Sequence, residues 1–251
     1  YDGMTAEGDT MPISLIRSAW AGSAKYGALV WSGDIVSTFE CFRRQVQAGL
    51  NMAIAGIPWW TTDIGGFHGA RTDDPDFHRL YIRWFEYGCF CPVMRLHGNR
   101  NPQEGYGAEQ IGSGSDNEIW SFGDKAYEIS KKYIFLRERL RDYIRTQMKK
   151  AHEDGTPMMR PVFYDFPTDP ESWNVEDAYL FGPDLYVAPV MEDHVTEREV
   201  YLPDGTAWFN AWTGEKYEGG QNVTVAAPLD TIPVFVKEGA DAEKLLNIFS
   251  E

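Results

Sequence analysis

Hydrophobic and polar positions follow two different patterns along the chain. From about residue 12 to residue 155, short apolar runs alternate with longer segments in which apolar residues recur at helical spacing. This alternation is typical of parallel β/α units, in which each strand is followed by a helix. It predicts four strands, near residues 13–17, 28–32, 52–57 and 92–97.

Three helices are predicted in the same region, at about residues 37–49, 75–88 and 123–153. The first has apolar residues on one face and arginines on another. The second begins at Pro75 and ends at Gly88, residue types that are favoured at those two ends. The third is the longest and carries a dense charged face.

Beyond about residue 157 the pattern changes to short runs rich in Val, Tyr, Phe and Trp, beginning with PVFYDFP and separated by turn residues. Such runs predict an antiparallel β domain. The predicted divisions are residues 1–156 for the β/α region, 157–240 for a β-sandwich domain, and 241–251 for a tail or linker to a further C-terminal region.

Four β/α units supply half of a (β/α)₈ TIM barrel, and an open half-barrel leaves strand edges unpaired and a core face exposed. The predicted fold class is therefore α/β: the second half of a TIM barrel followed by an antiparallel β-sandwich domain. We expect the chain to be the C-terminal part of a larger enzyme, with the missing N-terminal half as its partner.

The composition limits the other partners. Lys and Arg number 23 against 38 Asp and Glu, a formal charge of -15, and such a surface repels nucleic-acid phosphates and anionic lipid. The sequence contains no apolar run of about 18 residues that would span a bilayer. The histidines and cysteines lack metal-ligand spacing, so no metal site is predicted, and Cys89 and Cys91 are expected to be buried thiols.

Candidate chemistry lies where each predicted strand stops, because the active sites of parallel barrels lie at the C-terminal ends of the strands. Reading those positions gives one cation, two carboxylates and one imidazole: Arg17, Asp34, Asp63 and His97. Tryptophans and a phenylalanine lie nearby in sequence, among them Trp20, Trp31, Trp59, Trp60 and Phe67. Aromatic faces beside carboxylates and an arginine suit a sugar, and paired carboxylates suit glycoside cleavage.

Each of these residues also has a purely structural interpretation. Asp34 precedes a helix and is a good N-cap residue, while Asp63 could order the turn ahead of two glycines. Arg17 could form a structural ion pair, and His97 could be a core histidine at a strand end. Trp59 and Trp60 are expected to serve in packing. The functional interpretation depends on all four polar residues meeting at one face of the barrel.

Three ordered motifs, IRSAWAGSAKYGALVWSGD, AGLNMAIAGIPWWTTDIGGF and WFEYGCFCPVMRLHG, resemble the second half of the catalytic barrel, strands 5–8, of glycoside hydrolase family 31. Later phrases such as AYLFGPDLYVAPV and IPVFVKEGA are similar to the β-sandwich domain that follows the barrel there. The family contains α-glucosidases and α-xylosidases that retain anomeric configuration. The resemblance implies the same fold for nearly the whole chain and no cofactor.

The resemblance also implies a role for each candidate. Asp34 matches the general acid/base, Arg17 and His97 match residues that hydrogen-bond the sugar, Trp31 and Phe67 match aromatics lining the pocket, and Asp63 matches a residue supporting the pocket. The family's nucleophile, an aspartate in a WxDxNE-like motif, is not in this sequence, and we expect it shortly before Tyr1.

The predicted function is a retaining glycoside hydrolase that releases terminal α-linked xylose or glucose from oligosaccharides or other α-glycosides by double displacement. The run GIPWWTTDIGGF with RWFEYGCFCPVMRLHG favours the bacterial α-xylosidase branch slightly. A transglycosylase or α-glucan lyase shares this half of the site, and a non-catalytic carbohydrate-binding fragment is the alternative from another class. A homo-oligomer, and either the bacterial cytoplasm or the periplasm, are compatible with the sequence.

Overall fold

The computed structural model of the protein describes residues 1–101, 114–239 and 241–250. Its first part contains a three-stranded parallel sheet in the order β1-β2-β3. The strands are β1 (Ser14–Ile16), β2 (Ala28–Trp31) and β3 (Trp60–Thr61). Leu15 pairs with Leu29 and Val30 pairs with Trp60, so all three strands run in the same direction, as predicted for β/α units.

A short helix precedes β1, and longer helices follow β2 and β3. They are α1 (Asp2–Ala6), α2 (Phe39–Ile54), α3 (Pro75–Cys89), α4 (Gly123–Arg139) and α5 (Arg141–Glu153). The predicted helix at 123–153 is thus two helices separated by Leu140. The helical bonds continue across the break, because the Leu140 N–H donates to Leu136 O and the Ile144 N–H donates to Leu140 O. No helix in the described residues is long and apolar enough to cross a membrane.

The strand predicted near residues 52–57 is wrong, because α2 continues through Ile54. Leu50 and Ala53 extend the buried face of this helix. The helix then ends in a Schellman motif: the Ile57 N–H donates to Met52 O at 2.9 Å, and Gly56 adopts φ +78. The third strand therefore comes later and is only two residues long.

The strand predicted near residues 92–97 is also wrong. This segment runs beside β3 and is joined to it by two main-chain hydrogen bonds, from Val93 N–H to Trp60 O at 3.2 Å and from Ile64 N–H to Arg95 O at 3.3 Å. Pro92 brings no N–H, and two isolated bonds do not make a ladder. The segment nevertheless brings its end to the same edge as β2 and β3.

The described residues of the second part of the chain contain eight antiparallel strands. They are β4 (Met159–Pro161), β5 (Tyr179–Phe181), β6 (Leu185–Val187), β7 (Glu197–Leu202), β8 (Ala207–Asn210), β9 (Lys216–Glu218), β10 (Gln221–Ala226) and β11 (Val234–Lys237). Six form a sheet in the order β4-β5-β6-β11-β8-β9, while β7 and β10 form a separate ribbon. The antiparallel β domain predicted from the sequence is confirmed.

The pattern of the run PVFYDFP predicted a strand, which is wrong beyond its first residue, the last of β4. After β4 the chain forms a single helical turn, α6 (Val162–Asp165). The Arg160 Nε–H donates to the Asp165 carboxylate at 2.8 Å. A strand would hold these residues about 16 Å apart, so this contact requires the turn.

The six-stranded sheet is buried on both faces, and its side chains alternate between two cores. Leu180, Tyr186 and Phe235 face the β7–β10 ribbon. Their neighbours Tyr179, Leu185 and Val234 pack with the helices of the barrel region, as do Leu245 and Phe249 of the tail helix α7 (Ala242–Ser250). One core therefore joins the barrel region to the sandwich.

A buried arginine also crosses this junction. Arg83 of α3 is 3% exposed and pairs with the Glu86 carboxylate at 3.2 Å. Its guanidinium also donates to four main-chain carbonyls of the sandwich, those of Val195, Ala227, Pro228 and Thr231. Burial raises the pKa of Glu86 to about 8, and the Arg83 charge opposes this shift.

Candidate active site

Asp34 lies in the loop after β2 and is bound by the residue that follows β1. The Arg17 guanidinium donates to Asp34 Oδ1 at 2.7 Å, and the two side chains remain 61% and 40% exposed. The Arg17 guanidinium also lies 5.5 Å from the centre of the Trp31 ring. Gly33 adopts φ +77, a left-handed conformation that turns the chain out of β2 directly before Asp34.

The capping interpretation of Asp34 is wrong. The N-cap of α2 is Thr38, whose Oγ1 accepts the Cys41 N–H at 3.1 Å. Asp34 lies four residues earlier, outside the helix, and its carboxylate contacts Arg17 instead. The helix therefore has its own cap, and the position of Asp34 needs another explanation.

Asp63 lies two residues after β3 and is fully buried. One carboxylate oxygen accepts a hydrogen bond from the Arg95 guanidinium, while the other has no hydrogen-bond partner in the described residues. Burial raises the pKa of Asp63, Arg95 and His97 oppose the shift, and Asp34 adds to it. A turn is present, because the Gly66 N–H donates to Asp63 O at 2.9 Å, but the Asp63 side chain takes no part in it and bonds Arg95 instead.

Phe67 connects the loop of Asp34 to the loop of His97. Its N–H donates to Ile35 O at 2.7 Å, and its carbonyl accepts the Asn99 N–H at 2.8 Å. The Phe67 and His97 rings lie 5.4 Å apart between centroids, tilted by 32°. Main-chain bonds between the three loops thus gather these side chains at one edge of the sheet.

The remaining aromatic candidates divide between core and surface. Trp60 is buried, which agrees with its predicted packing role, and Trp59 is half-buried. Trp20 is 86% exposed, so it is not part of the core in these residues. Cys89 and Cys91 are buried as predicted, and burial raises the pKa of each thiol to about 12. Among the described residues no group of three or more His, Cys, Asp or Glu could hold a metal.

The sequence patterns did not single out Arg95 or Arg100. Arg95 is 22% exposed and binds Asp63 directly, so it belongs to the same edge. A signal was present, since Arg95 and His97 are two residues apart in an extended segment and side chains at that spacing lie on the same side. Arg100 is almost completely buried beneath the loops.

The arrangement provides one accessible carboxylate, two cations, an imidazole and two aromatic rings at a single edge. Asp34 is accessible and can donate or accept a proton. Asp63 is buried and bound by Arg95, so it is better suited to holding the surrounding residues in place than to reacting with a substrate. Arg17 and His97 can donate hydrogen bonds to hydroxyl groups, and Trp31 and Phe67 offer faces for C–H groups.

Comparison with known proteins identifies this arrangement. The family model of the glycosyl hydrolases family 31 TIM-barrel domain matches residues 1–147, and that of the glycosyl hydrolase family 31 C-terminal domain matches residues 155–240. The chain belongs to glycoside hydrolase family 31. The barrel portion and the β-sandwich predicted from the sequence are thereby confirmed as the two domains of this family.

Relatives in family 31 include both xylosidases and glucosidases. The chain is 53% identical to a family 31 α-xylosidase from a soil metagenome whose crystal structure contains xylose, with a TM-score of 0.91 over 98% of this chain and 37% of that one. It is 38% identical to an α-xylosidase of Saccharolobus solfataricus, covering 96% of this chain and 31% of the relative. It is 35% identical to α-glucosidase 2 of Bacillus thermoamyloliquefaciens, covering 91% and 27%. The chain thus spans about a third of the length of these relatives.

Proposed function

We propose that the chain forms the acid/base half of the active site of a retaining glycosidase that releases terminal α-linked xylose or glucose. The observation that carries this proposal is the accessible Asp34 carboxylate, held by Arg17 at the end of β2 and free of any capping role. The α-xylosidases among the relatives favour xylose, and the similarity to an α-glucosidase keeps glucose as the second candidate.

The mechanism requires two carboxylates about 5–5.5 Å apart. A nucleophile from the preceding part of the barrel attacks the anomeric carbon, while protonated Asp34 gives its proton to the leaving oxygen. Asp34, now a carboxylate, then takes a proton from the water that displaces the nucleophile and releases the sugar. Each turnover returns both groups to their starting states.

The other candidates would position the sugar. Arg17 and His97 donate to its hydroxyl groups, and holding the reacting atoms in line lowers the entropic part of the barrier. Trp31 and Phe67 line the pocket, whereas Asp63 supports it by fixing Arg95.

The partner of this half-site would be the N-terminal half of the same enzyme. In the described residues β1 pairs with β2 on one side only, and the apolar side chains of Leu15 and Ile13 next to its open edge are 41% and 71% exposed. An open edge with exposed apolar side chains is the surface that a preceding barrel strand would cover.

The test is hydrolysis of an aryl α-xyloside and an aryl α-glucoside by the full-length protein. We expect release of free sugar with retained configuration and higher kcat/KM for the xyloside. NMR of the products separates hydrolysis from sugar transfer and from formation of an anhydro-sugar. Activity on neither glycoside, together with binding of oligosaccharides by this chain alone in titration calorimetry, would favour a binding module instead.

A further inference from the structure

Arg100 is 1% exposed and lies beneath the loops that carry the candidate site. Its guanidinium joins three separate segments of the chain. It donates to Ile64 O at 3.0 Å, Gly66 O at 2.7 Å, Gly65 O at 3.5 Å, Ser37 Oγ at 3.3 Å and Asn117 Oδ1 at 2.7 Å. A single side chain thus bonds the loop after β2, the turn after β3 and the segment before α4.

Every one of these acceptors is neutral, and no carboxylate pairs with Arg100 in the described residues. The guanidinium carbon lies 4.7 Å from the centre of the Phe77 ring. Burial lowers the pKa of Arg100 to about 10, so the group stays charged at neutral pH. A buried cation is costly unless its donors are satisfied, and the planar five-donor fork of arginine is suited to several fixed acceptors.

Glycines make room for the guanidinium. A Cβ at Gly98 would lie 2.5 Å from the guanidinium carbon, and one at Gly65 would lie 3.1 Å from a guanidinium nitrogen. Gly65 and Gly66 also adopt φ +83 and +79, which turns their carbonyls toward Arg100 at little strain. The sequences DIGG and HGNR therefore provide both the acceptors and the space for this side chain.

Two of the bonded segments adjoin residues of the candidate site, and Arg100 itself adjoins another. Ser37 ends the loop that begins at Asp34, the Ile64–Gly66 turn lies between Asp63 and Phe67, and Arg100 itself follows His97 by three residues. We propose that Arg100 is a positioning residue, which sets the spacing between the acid/base Asp34 and the residues that hold the sugar. This proposal rests on the proposed function, because it concerns the geometry of the same reaction.

Arg137 provides a matched control. It is a partly buried arginine that donates to three main-chain carbonyls, Cys89 O at 2.6 Å, Cys91 O at 2.9 Å and Pro92 O at 3.0 Å, and burial lowers its pKa too. Its carbonyls follow the C-terminal end of α3, and in a β/α barrel that end lies on the side opposite the active site. Loss of Arg137 should therefore destabilise the fold without disturbing the site.

The experiment compares Arg100→Met, Arg100→Lys and Arg137→Met in the full-length protein, assayed at a temperature where each is folded. Misplacing a reacting group by about 1 Å costs about 100-fold in rate, so we expect a kcat loss of that order for Arg100→Met and an unchanged kcat for Arg137→Met. Arg100→Lys keeps the charge but loses the planar guanidinium. Compared with Arg100→Met, it should recover part of the stability but little of the kcat. Equal kcat values for Arg100→Met and Arg137→Met, or full recovery of kcat by lysine, would overturn the proposal.

Hydrogen exchange gives a readout that needs no substrate. The amides of Phe67, His68 and Asn99 donate across the loops that Arg100 joins, so Arg100→Met should speed their exchange at least tenfold while Arg137→Met leaves it unchanged. Unchanged exchange in Arg100→Met would refute the positioning role. A wild-type protein inactive on both glycosides would refute the proposed function, and these amides would still report whether Arg100 orders the loops.

Discussion

Two arginine–carboxylate pairs in this chain are chemically alike and lie in opposite surroundings. Arg17 and Asp34 meet at 2.7 Å with 61% and 40% of their side chains exposed. Arg83 and Glu86 meet at 3.2 Å with 3% and 0% exposed. The first pair joins two strand ends at the open face of the barrel portion, and the second lies where the barrel portion contacts the sandwich.

The difference shows that burial, not the pairing of charges, decides what each pair does. An exposed pair contributes about 0–1 kcal/mol to stability, so the fold would lose little if the proposed substrate engaged Arg17 or Asp34. Loss of Arg83 leaves buried acceptors without their donor, at a cost of about 1–3 kcal/mol for each acceptor. Arg83 is further fixed by four carbonyls of the sandwich, which leaves it no freedom to engage a ligand.

The largest effect is expected for Asp34→Ala in the full-length enzyme. General acid/base catalysis contributes about 10²–10⁴-fold, so kcat/KM should fall by that factor for substrates with alkyl or sugar leaving groups. Aryl leaving groups of low pKa depart without a proton. For aryl glycosides the decrease in the rate of the first step should therefore be much smaller. Azide needs no base to attack, so it should accelerate release of the sugar from the variant.

The control for this variant is Glu192→Ala, which breaks the exposed pair between Glu192 and Arg43 at 3.2 Å. Both variants should melt close to the wild-type temperature, because an exposed ion pair contributes only about 0–1 kcal/mol to the free energy of unfolding. Only Asp34→Ala should lose activity. Equal losses for aryl and alkyl substrates would contradict an acid/base role for Asp34.

Arg83→Met should show the reverse behaviour. We expect the free energy of unfolding to fall by several kcal/mol, because the Glu86 carboxyl and four sandwich carbonyls lose their donor, and each buried acceptor left unsatisfied costs about 1–3 kcal/mol. The kcat of the remaining folded enzyme should not change. Urea titration of the full-length protein, with activity measured in parallel, checks both expectations.

The double variant Arg83→Met with Glu86→Gln sharpens this result. It removes the buried carboxyl together with its partner, so part of the lost stability should return. A double variant as unstable as the sum of the two single variants would show that the pair is not energetically coupled.

Glu86→Gln alone should change how stability depends on pH. The pKa of Glu86 rises from 4.5 to about 8 on burial, so between these values the folded state holds a proton that the unfolded state has lost. The free energy of unfolding therefore decreases as the pH rises from about 5 to about 8, and this group accounts for about 3–4 kcal/mol of that decrease. Glu86→Gln should remove the contribution of Glu86 to this decrease. The variant should therefore gain stability relative to the wild type as the pH increases.

Melting temperatures of both proteins across this pH range test the sign of the effect. Glu40→Gln is the control, because Glu40 is an exposed residue paired with Arg44 on α2. Its difference from the wild type should be flat over the same range. A wild type that gains stability relative to Glu86→Gln with rising pH would show that Glu86 is ionised in the folded state.

The sequence predicted which residues lie together at one edge of the sheet better than it predicted the strands. Arg17, Asp34 and His97 were found because parallel strands expose whatever residue follows them, a rule that does not depend on exact strand limits. Residues 52–57 were misassigned because a short apolar run fits a buried helix end as well as a buried strand. The role of Arg100 could not be read locally, since its turn acceptors lie 34 to 36 residues earlier in the chain.

Thr38 and Asp34 also show that the local sequence does not settle the role of a residue. Of the variants considered, Thr38→Ala has the smallest expected effect. Both are N-cap residue types four positions apart, and only the folded backbone shows that Thr38 caps α2. Removing its hydroxyl should cost about 1 kcal/mol of stability, whereas Thr38→Ser should keep the cap. Thermal melts and kcat/KM of Thr38→Ala and Asp34→Ala should therefore separate, with stability lost in the first and activity lost in the second. If Asp34→Ala lowered the melting temperature as much as Thr38→Ala, Asp34 would share the cap and its assignment to chemistry alone would fail.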